Sequence, residues 1–91
     1  MIERSELEKK IKELFPEYMR EDISFEDDKY IPSGIYGVSV WLENGNISAE
    51  ELDKMRVIMY EAEMELFAID AYNDGQMSIA FIPVKRGDEK L

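Results

Sequence analysis

The chain has 91 residues without cysteine or histidine, and its 21 Asp and Glu residues outnumber its 11 Lys and Arg residues, which gives a net charge of −10. This composition excludes disulfides, thiolate and histidine catalysis, and the usual zinc, haem and iron–sulfur ligand sets. At 45% hydrophobic residues, a chain of this length is expected to form one compact domain, which we place at residues 1–84, followed by a flexible tail at residues 85–91.

The negative charge is concentrated in the middle of the chain. Residues 21–84 contain fourteen Asp and Glu but only three Lys and Arg. Such a surface repels phosphates, so the sequence predicts no direct binding of nucleic acid and favours a basic protein partner. No apolar run reaches the roughly 20 residues of a membrane span, and the charged amino terminus lacks a signal-peptide pattern. We therefore expect a cytoplasmic protein without a membrane partner.

The first element is predicted to be an amphipathic helix. Ser5 and Glu8 have the spacing of a capping box at its start. Pro16 disfavours helical backbone at Phe15, so we expect a break there, with Pro16 opening a short further turn through Arg20. The apolar residues at helical intervals are Leu7, Ile11, Leu14, Phe15 and Tyr18.

Two strands are predicted next, at residues 23–30 and 35–42, joined around Pro32-Ser33-Gly34. Their register is open between a two-residue and a four-residue loop. Either loop places Phe25 on the same face as Tyr36, Val38, Val40 and Leu42. The opposite face then carries Glu26, Asp28, Tyr30, Ile35, Gly37, Ser39 and Trp41.

A second helix has a stronger start signal. Ser48 and Glu51 form a capping box, and Ile47 and Leu52 hold the positions of a hydrophobic staple. One apolar stripe consists of Leu52, Met55, Met59, Ala62 and Leu66. A second stripe, on a different side of the predicted helix, consists of Val57, Tyr60 and Met64. The second stripe either packs on the first helix or forms a partner or dimer surface.

The last third of the domain is predicted to be a second hairpin. Gly75 takes the left-handed position of a loop at Asn73-Asp74-Gly75. The apolar pairs on one face are Ala71 with Met77, Ile69 with Ile79 and Phe67 with Phe81. The pairs on the other face are Tyr72 with Gln76, Asp70 with Ser78 and Ala68 with Ala80. This separation favours strands over the alternative in which the second helix continues to Tyr72.

The predicted elements follow the order αββαββ. This order predicts an α+β fold in which two tandem αββ units form a four-stranded antiparallel sheet, with two helices packed on one face.

Trp41 is the main candidate for a partner site. It is the only tryptophan, and the predicted alternation places it on the sheet face that the helices leave open. A register shifted by one residue would instead place it in the core. The candidate partner-binding residues on the open face are Trp41, Tyr30, Ile35, Tyr72, Asp28 and Glu26.

Two dense acidic sets are candidates for metal or catalytic sites: Glu26-Asp27-Asp28, and Glu61 with Glu63 and Glu65. On a helix, the three glutamates point in different directions, and on a strand Asp27 points away from its neighbours. We therefore predict no metal, cofactor or catalytic residue, and interpret both sets as solvated surface.

The sequence thus favours a non-enzymatic protein–protein interaction module, such as a regulatory or accessory subunit or a homodimer. One alternative is an acidic mimic of nucleic acid that inhibits a DNA- or RNA-binding protein. A second is a metal-dependent carboxylate enzyme that uses Asp27, Asp28 or nearby Glu residues. Nothing in the sequence marks the polar groups of a small-molecule pocket.

Overall fold

The structure is a computed structural model that describes residues 2–30 and 35–84, including their side chains except those of residues 28–30 and 35. The described elements, in chain order, are α1 (Arg4–Lys12), a 3₁₀ helix (Glu17–Asp22), β1 (Ile23–Tyr30), β2 (Ile35–Leu42), α2 (Ala49–Glu61), β3 (Met64–Ala71) and β4 (Met77–Pro83).

The four strands form one antiparallel sheet in the order β1-β2-β4-β3. The predicted α+β class and the four-stranded antiparallel sheet are therefore confirmed. The division into two tandem αββ units stays a prediction, because the chain contains a third helix and the two hairpins join through their second strands, β2 and β4.

One hydrophobic cluster connects the helices to the sheet. Its helical members include Leu7 and Ile11 from α1 and Met55 and Met59 from α2. Its strand members occupy alternate positions and are Ile23, Val38, Val40, Leu42, Ile79 and Phe81. We call the sheet face formed by these strand positions the core face, and the opposite face the outer face.

The start of α1 differs from the sequence prediction. The residue that precedes the helix is Glu3, which makes no side-chain capping bond, and Ser5 lies inside the helix. The predicted capping box of Ser5 and Glu8 is therefore wrong. Glu8 instead accepts a 2.8 Å hydrogen bond from Arg4, one helical turn earlier. The break near Pro16 is confirmed, and the 3₁₀ helix that follows it ends at Asp22 rather than Arg20.

The start of α2 is confirmed in detail. The Ser48 hydroxyl accepts a hydrogen bond from the Glu51 backbone N–H at 3.0 Å, and the Glu51 carboxylate accepts one from the Ser48 N–H at 2.9 Å. These two bonds satisfy backbone donors that a helix start leaves unpaired.

The end of α2 comes earlier than the apolar stripe predicts. The helix stops at Glu61, and Glu63 adopts a left-handed backbone with φ of 59°. Met64 and Leu66 belong to β3, where they pack against the core cluster. The predicted continuation of the helix to Leu66 is wrong because strand pairing with β4 buries the same apolar residues.

The first hairpin has the predicted strands, and its register corresponds to the four-residue alternative. Ile23 pairs with Leu42, Phe25 with Val40, and the register continues to residues 30 and 35. The predicted loop at Pro32-Ser33-Gly34 lies outside the described residues.

The second hairpin confirms the predicted pairs of Ile69 with Ile79 and Asp70 with Ser78. The predicted pairing of Phe67 with Phe81 is wrong, because Leu66 takes that place. A bulge between Leu66 and Ala68 inserts one extra residue in β3 and shifts the register. Phe67 and Ile69 are 46% and 43% exposed on this edge strand.

No helix within the described part of the chain is long and apolar enough to cross a membrane. The predicted tail at residues 85–91 lies outside that part.

Candidate functional site

The candidate site lies on the outer face, around Trp41. Within the sheet, Trp41 pairs with Ser24 of β1 on one side and Ser78 of β4 on the other. It alternates with the fully buried Val40 and nearly fully buried Leu42 of the core face. Trp41 is therefore an outer-face residue flanked by small side chains, which leave room for the indole above the sheet.

Tyr72 covers one face of the indole. The two rings are stacked, with centroids 5.4 Å apart and an angle of 18° between their planes. The Tyr72 hydroxyl lies 3.5 Å from the Ser78 hydroxyl, so the phenol ring reaches back across β4. Stacked aromatic pairs of this kind contribute roughly 0.5–1.5 kcal/mol beyond the area that they bury.

Four residues of the outer face are also buried, although none of them belongs to the core cluster. The residues concerned are Ser39, Ser78, Ala80 and Ile82, each at most 7% exposed. The indole Nε1 of Trp41 is buried as well, and it has no hydrogen-bond partner among the described residues.

A cavity of about 430 Å³ opens beside the indole. Trp41 forms one of its walls, whereas Tyr72 does not line it. Because Tyr72 already covers one face of the indole, the cavity lies on the side away from the stack. The other lining residues are Glu21, Asp22, Ser24, Glu26, Glu43 and Gln76, so four carboxylates surround this opening.

The ends of two paired strands bring the carboxylates together. Asp22 directly precedes β1 and Glu43 directly follows β2, and the Glu43 N–H donates to the Asp22 carbonyl oxygen at 3.3 Å. The pKa of Glu43 is raised above its ordinary value, first because its carboxyl group shares a hydrogen bond with Asp22, and then because the Asp22 charge disfavours a second charge. This corner of the cavity therefore attracts protons or other cations.

Two turns close the same end of the sheet. Gly45, after β2, and Gly75, between β3 and β4, both have positive φ angles, of 58° and 89°. A Cβ at Gly45 would overlap the backbone carbonyl oxygen of Gly75, so the turns approach too closely for any side chain there. This contact fixes Glu43 and Gln76 on neighbouring turns at the rim of the cavity.

The structure unites half of the residues predicted for the site. Trp41 stacks on Tyr72, and Glu26 lines the cavity with Trp41. The backbones of Asp28, Tyr30 and Ile35 lie farther along β1 and β2, and their side chains are outside the described part of the structure.

Sequence reasoning missed Glu21, Asp22, Glu43 and Gln76 because they lie at strand ends rather than within the alternating pattern. The register could have indicated two of them, since pairing Ile23 with Leu42 places their neighbours Asp22 and Glu43 together.

The other acidic residues considered as metal ligands do not share one element. Glu61 ends α2, Glu63 lies in the turn and Glu65 belongs to β3, which corrects the expectation that all three lie on a helix. Asp27 accepts a hydrogen bond from Arg4 at 2.8 Å. No group of three or more metal-ligating side chains is found in residues 2–30 and 35–84.

Comparisons of this chain with protein-family models, with curated proteins and with solved structures found no match.

Proposed function

We propose that the chain is a non-enzymatic protein-binding module whose outer-face cavity receives a lysine or arginine side chain of a protein partner. The observation that carries this proposal is the composition of the cavity, which Trp41 lines together with four acidic residues. An indole attracts an organic cation through its π-electrons, and carboxylates pair with the same cation through charge-assisted hydrogen bonds.

The stack on Tyr72 supports this function by holding the indole in place. A side chain already ordered in its binding orientation loses little conformational entropy when a partner arrives. The surrounding negative charge acts earlier, because it attracts a basic partner during diffusion. Association is therefore expected to slow as salt screens these charges.

Trp41 is the only tryptophan, so its fluorescence reports directly on this cavity. We would titrate the full chain with a peptide of alternating arginine and serine, and with the same peptide carrying uncharged citrulline in place of arginine. The arginine peptide is expected to change the Trp41 emission to saturation, whereas the citrulline peptide is not.

A matched pair of double variants separates the cavity from general charge attraction. Glu26→Gln with Glu43→Gln removes two carboxylates that line the cavity, and Glu6→Gln with Glu17→Gln removes two exposed carboxylates elsewhere. The first pair is expected to weaken binding about tenfold, which corresponds to about 1.4 kcal/mol. Equal weakening by both pairs would show that net charge alone attracts the peptide, and would reject the cavity as the site.

A further inference from the structure

A second surface remains open on the other side of the molecule, along α2 and the edge strand β3. A groove of about 630 Å³ runs between them, with Val57, Tyr60, Met64 and Leu66 as its apolar lining. Val57 is 66% exposed and Tyr60 is 64% exposed. None of the residues that line this groove lines the cavity at Trp41.

The apolar surface continues across the helix. On the other side of Val57, a cavity of about 390 Å³ is lined by Leu14 and Ile58 and shares Asp53 and Val57 with the groove. The two openings together form one strip from the end of α1 to β3.

Charge along the groove argues for a cationic occupant. Glu61 pairs with Lys10 at 3.2 Å and Asp53 approaches Arg56 at 4.0 Å, and both pairs are exposed and therefore weak. Glu65 also lines the groove and forms no ion pair within residues 2–30 and 35–84. A two-fold dimer through this surface would bring together two copies of this lining, in each of which Asp53, Glu61 and Glu65 outnumber the one cation, Arg56.

The bulge in β3 argues for a helix rather than an added strand. It disrupts the edge between Leu66 and Ala68, directly beside the groove. An extended peptide needs a regular row of backbone donors and acceptors, which a bulge interrupts. A helix needs only a groove that accepts side chains at intervals of three and four residues.

We propose that this groove binds an amphipathic helix of another protein, with apolar residues seated against Val57, Tyr60 and Leu66, and with lysine or arginine residues along the margin facing Glu65. This surface is separate from the Trp41 cavity, so, resting on the function proposed for that cavity, the domain would hold two partner segments at once.

The probe is a synthetic helix of leucine and lysine, with leucine at positions i, i+3, i+4 and i+7, and a scrambled peptide of the same composition serves as the control. Binding to the full chain would be followed by backbone amide NMR shifts and by Trp41 fluorescence. We expect only the amphipathic peptide to shift amides near Val57, Tyr60 and Leu66, whereas lysine side chains that enter the Trp41 cavity change the Trp41 emission equally for both peptides. Equal shifts of the groove amides by the scrambled peptide, or shifts confined to the Trp41 cavity, would overturn the proposal and leave the cavity's function standing.

Two matched substitutions test the contact itself. Tyr60→Ser removes an aromatic ring from the groove, and Tyr18→Ser removes an 81% exposed ring elsewhere. Because the helix would bury the Tyr60 ring, Tyr60→Ser is expected to weaken peptide binding about tenfold or more, and Tyr18→Ser to leave it unchanged.

Sedimentation of the wild-type chain tests whether a second copy of the chain, rather than another protein, occupies the groove. We expect a monomer whose mass does not change with Tyr60→Ser. A dimer that this substitution dissociates would assign the groove to a second copy and overturn the proposal.

Discussion

The two faces of the sheet bury their residues in different ways. On the core face, large apolar side chains such as Val40, Ile79 and Phe81 are completely buried. They belong to the core cluster, which also includes residues of both α helices. On the outer face, the small residues Ser78 and Ala80 are buried beside stacked rings that remain partly exposed. The core face therefore encloses its apolar side chains completely, whereas the outer face leaves an aromatic surface partly exposed.

The largest expected effect tests the core face. Phe81→Ala should lower the free energy of unfolding by about 3–5 kcal/mol, because it leaves a cavity where the ring was completely enclosed. Urea denaturation measures this loss. Phe67→Ala on the exposed edge strand is the matched control, and a smaller loss is expected there because the ring is 46% exposed. Equal losses would contradict the distinction between the enclosed and exposed rings.

Much of the fold was predictable because its signals are local. The strands at residues 23–30 and 35–42 follow from apolar alternation, and the start of α2 follows from the capping chemistry of Ser48 and Glu51. The end of α2 was not predictable in this way. Met64 fits a helical stripe and a strand equally well, and pairing with a strand that comes later in the chain decides between them.

The candidate site shows the same difference between features with a local sequence signal and features that depend on distant parts of the chain. Trp41, Tyr72 and Glu26 could be placed on one face by alternation within strands. Glu21 lies in the 3₁₀ helix, outside the strands, and only the three-dimensional path of the chain brings it to the cavity beside the indole. The bulge at Phe67 was also hidden, since one extra residue leaves no mark in a run of apolar side chains.

A smaller effect is expected for the outer-face stack. Tyr72→Leu should lower the free energy of unfolding by about 0.5–1.5 kcal/mol, because it removes the aromatic contact but keeps an apolar side chain beside Trp41. The same substitution should shift the Trp41 emission, because the covered face of the indole becomes accessible to water. Tyr18→Leu, on a ring exposed to 81%, should change neither quantity. A stability loss as large as that of Phe81→Ala would show that both faces serve stability equally.

The smallest expected effect concerns the dependence of stability on pH at the rim of the cavity. The pKa of Glu43 is raised in the folded chain by the hydrogen bond and charge of Asp22. In the range above the ordinary glutamate pKa, the folded state retains a proton that the unfolded chain has released. The stabilising effect of this proton is therefore fully present below the ordinary glutamate pKa, and it is lost as the pH rises through the raised pKa of Glu43. Glu43→Gln should therefore reduce the fall in melting temperature that accompanies a rise in pH on the acidic side of neutral.

Glu17→Gln provides the control for this last prediction, because it removes an exposed carboxylate without touching the Asp22 pair. A carbon-detected NMR titration of the Glu43 carboxyl group gives the pKa directly, and an ordinary value would contradict the shared proton. If the pKa is raised as expected, a bound arginine should lower it, since the cation replaces the proton between the two carboxylates. Binding would then release a proton, and affinity for the basic partner would fall as the pH is lowered through the raised pKa of Glu43.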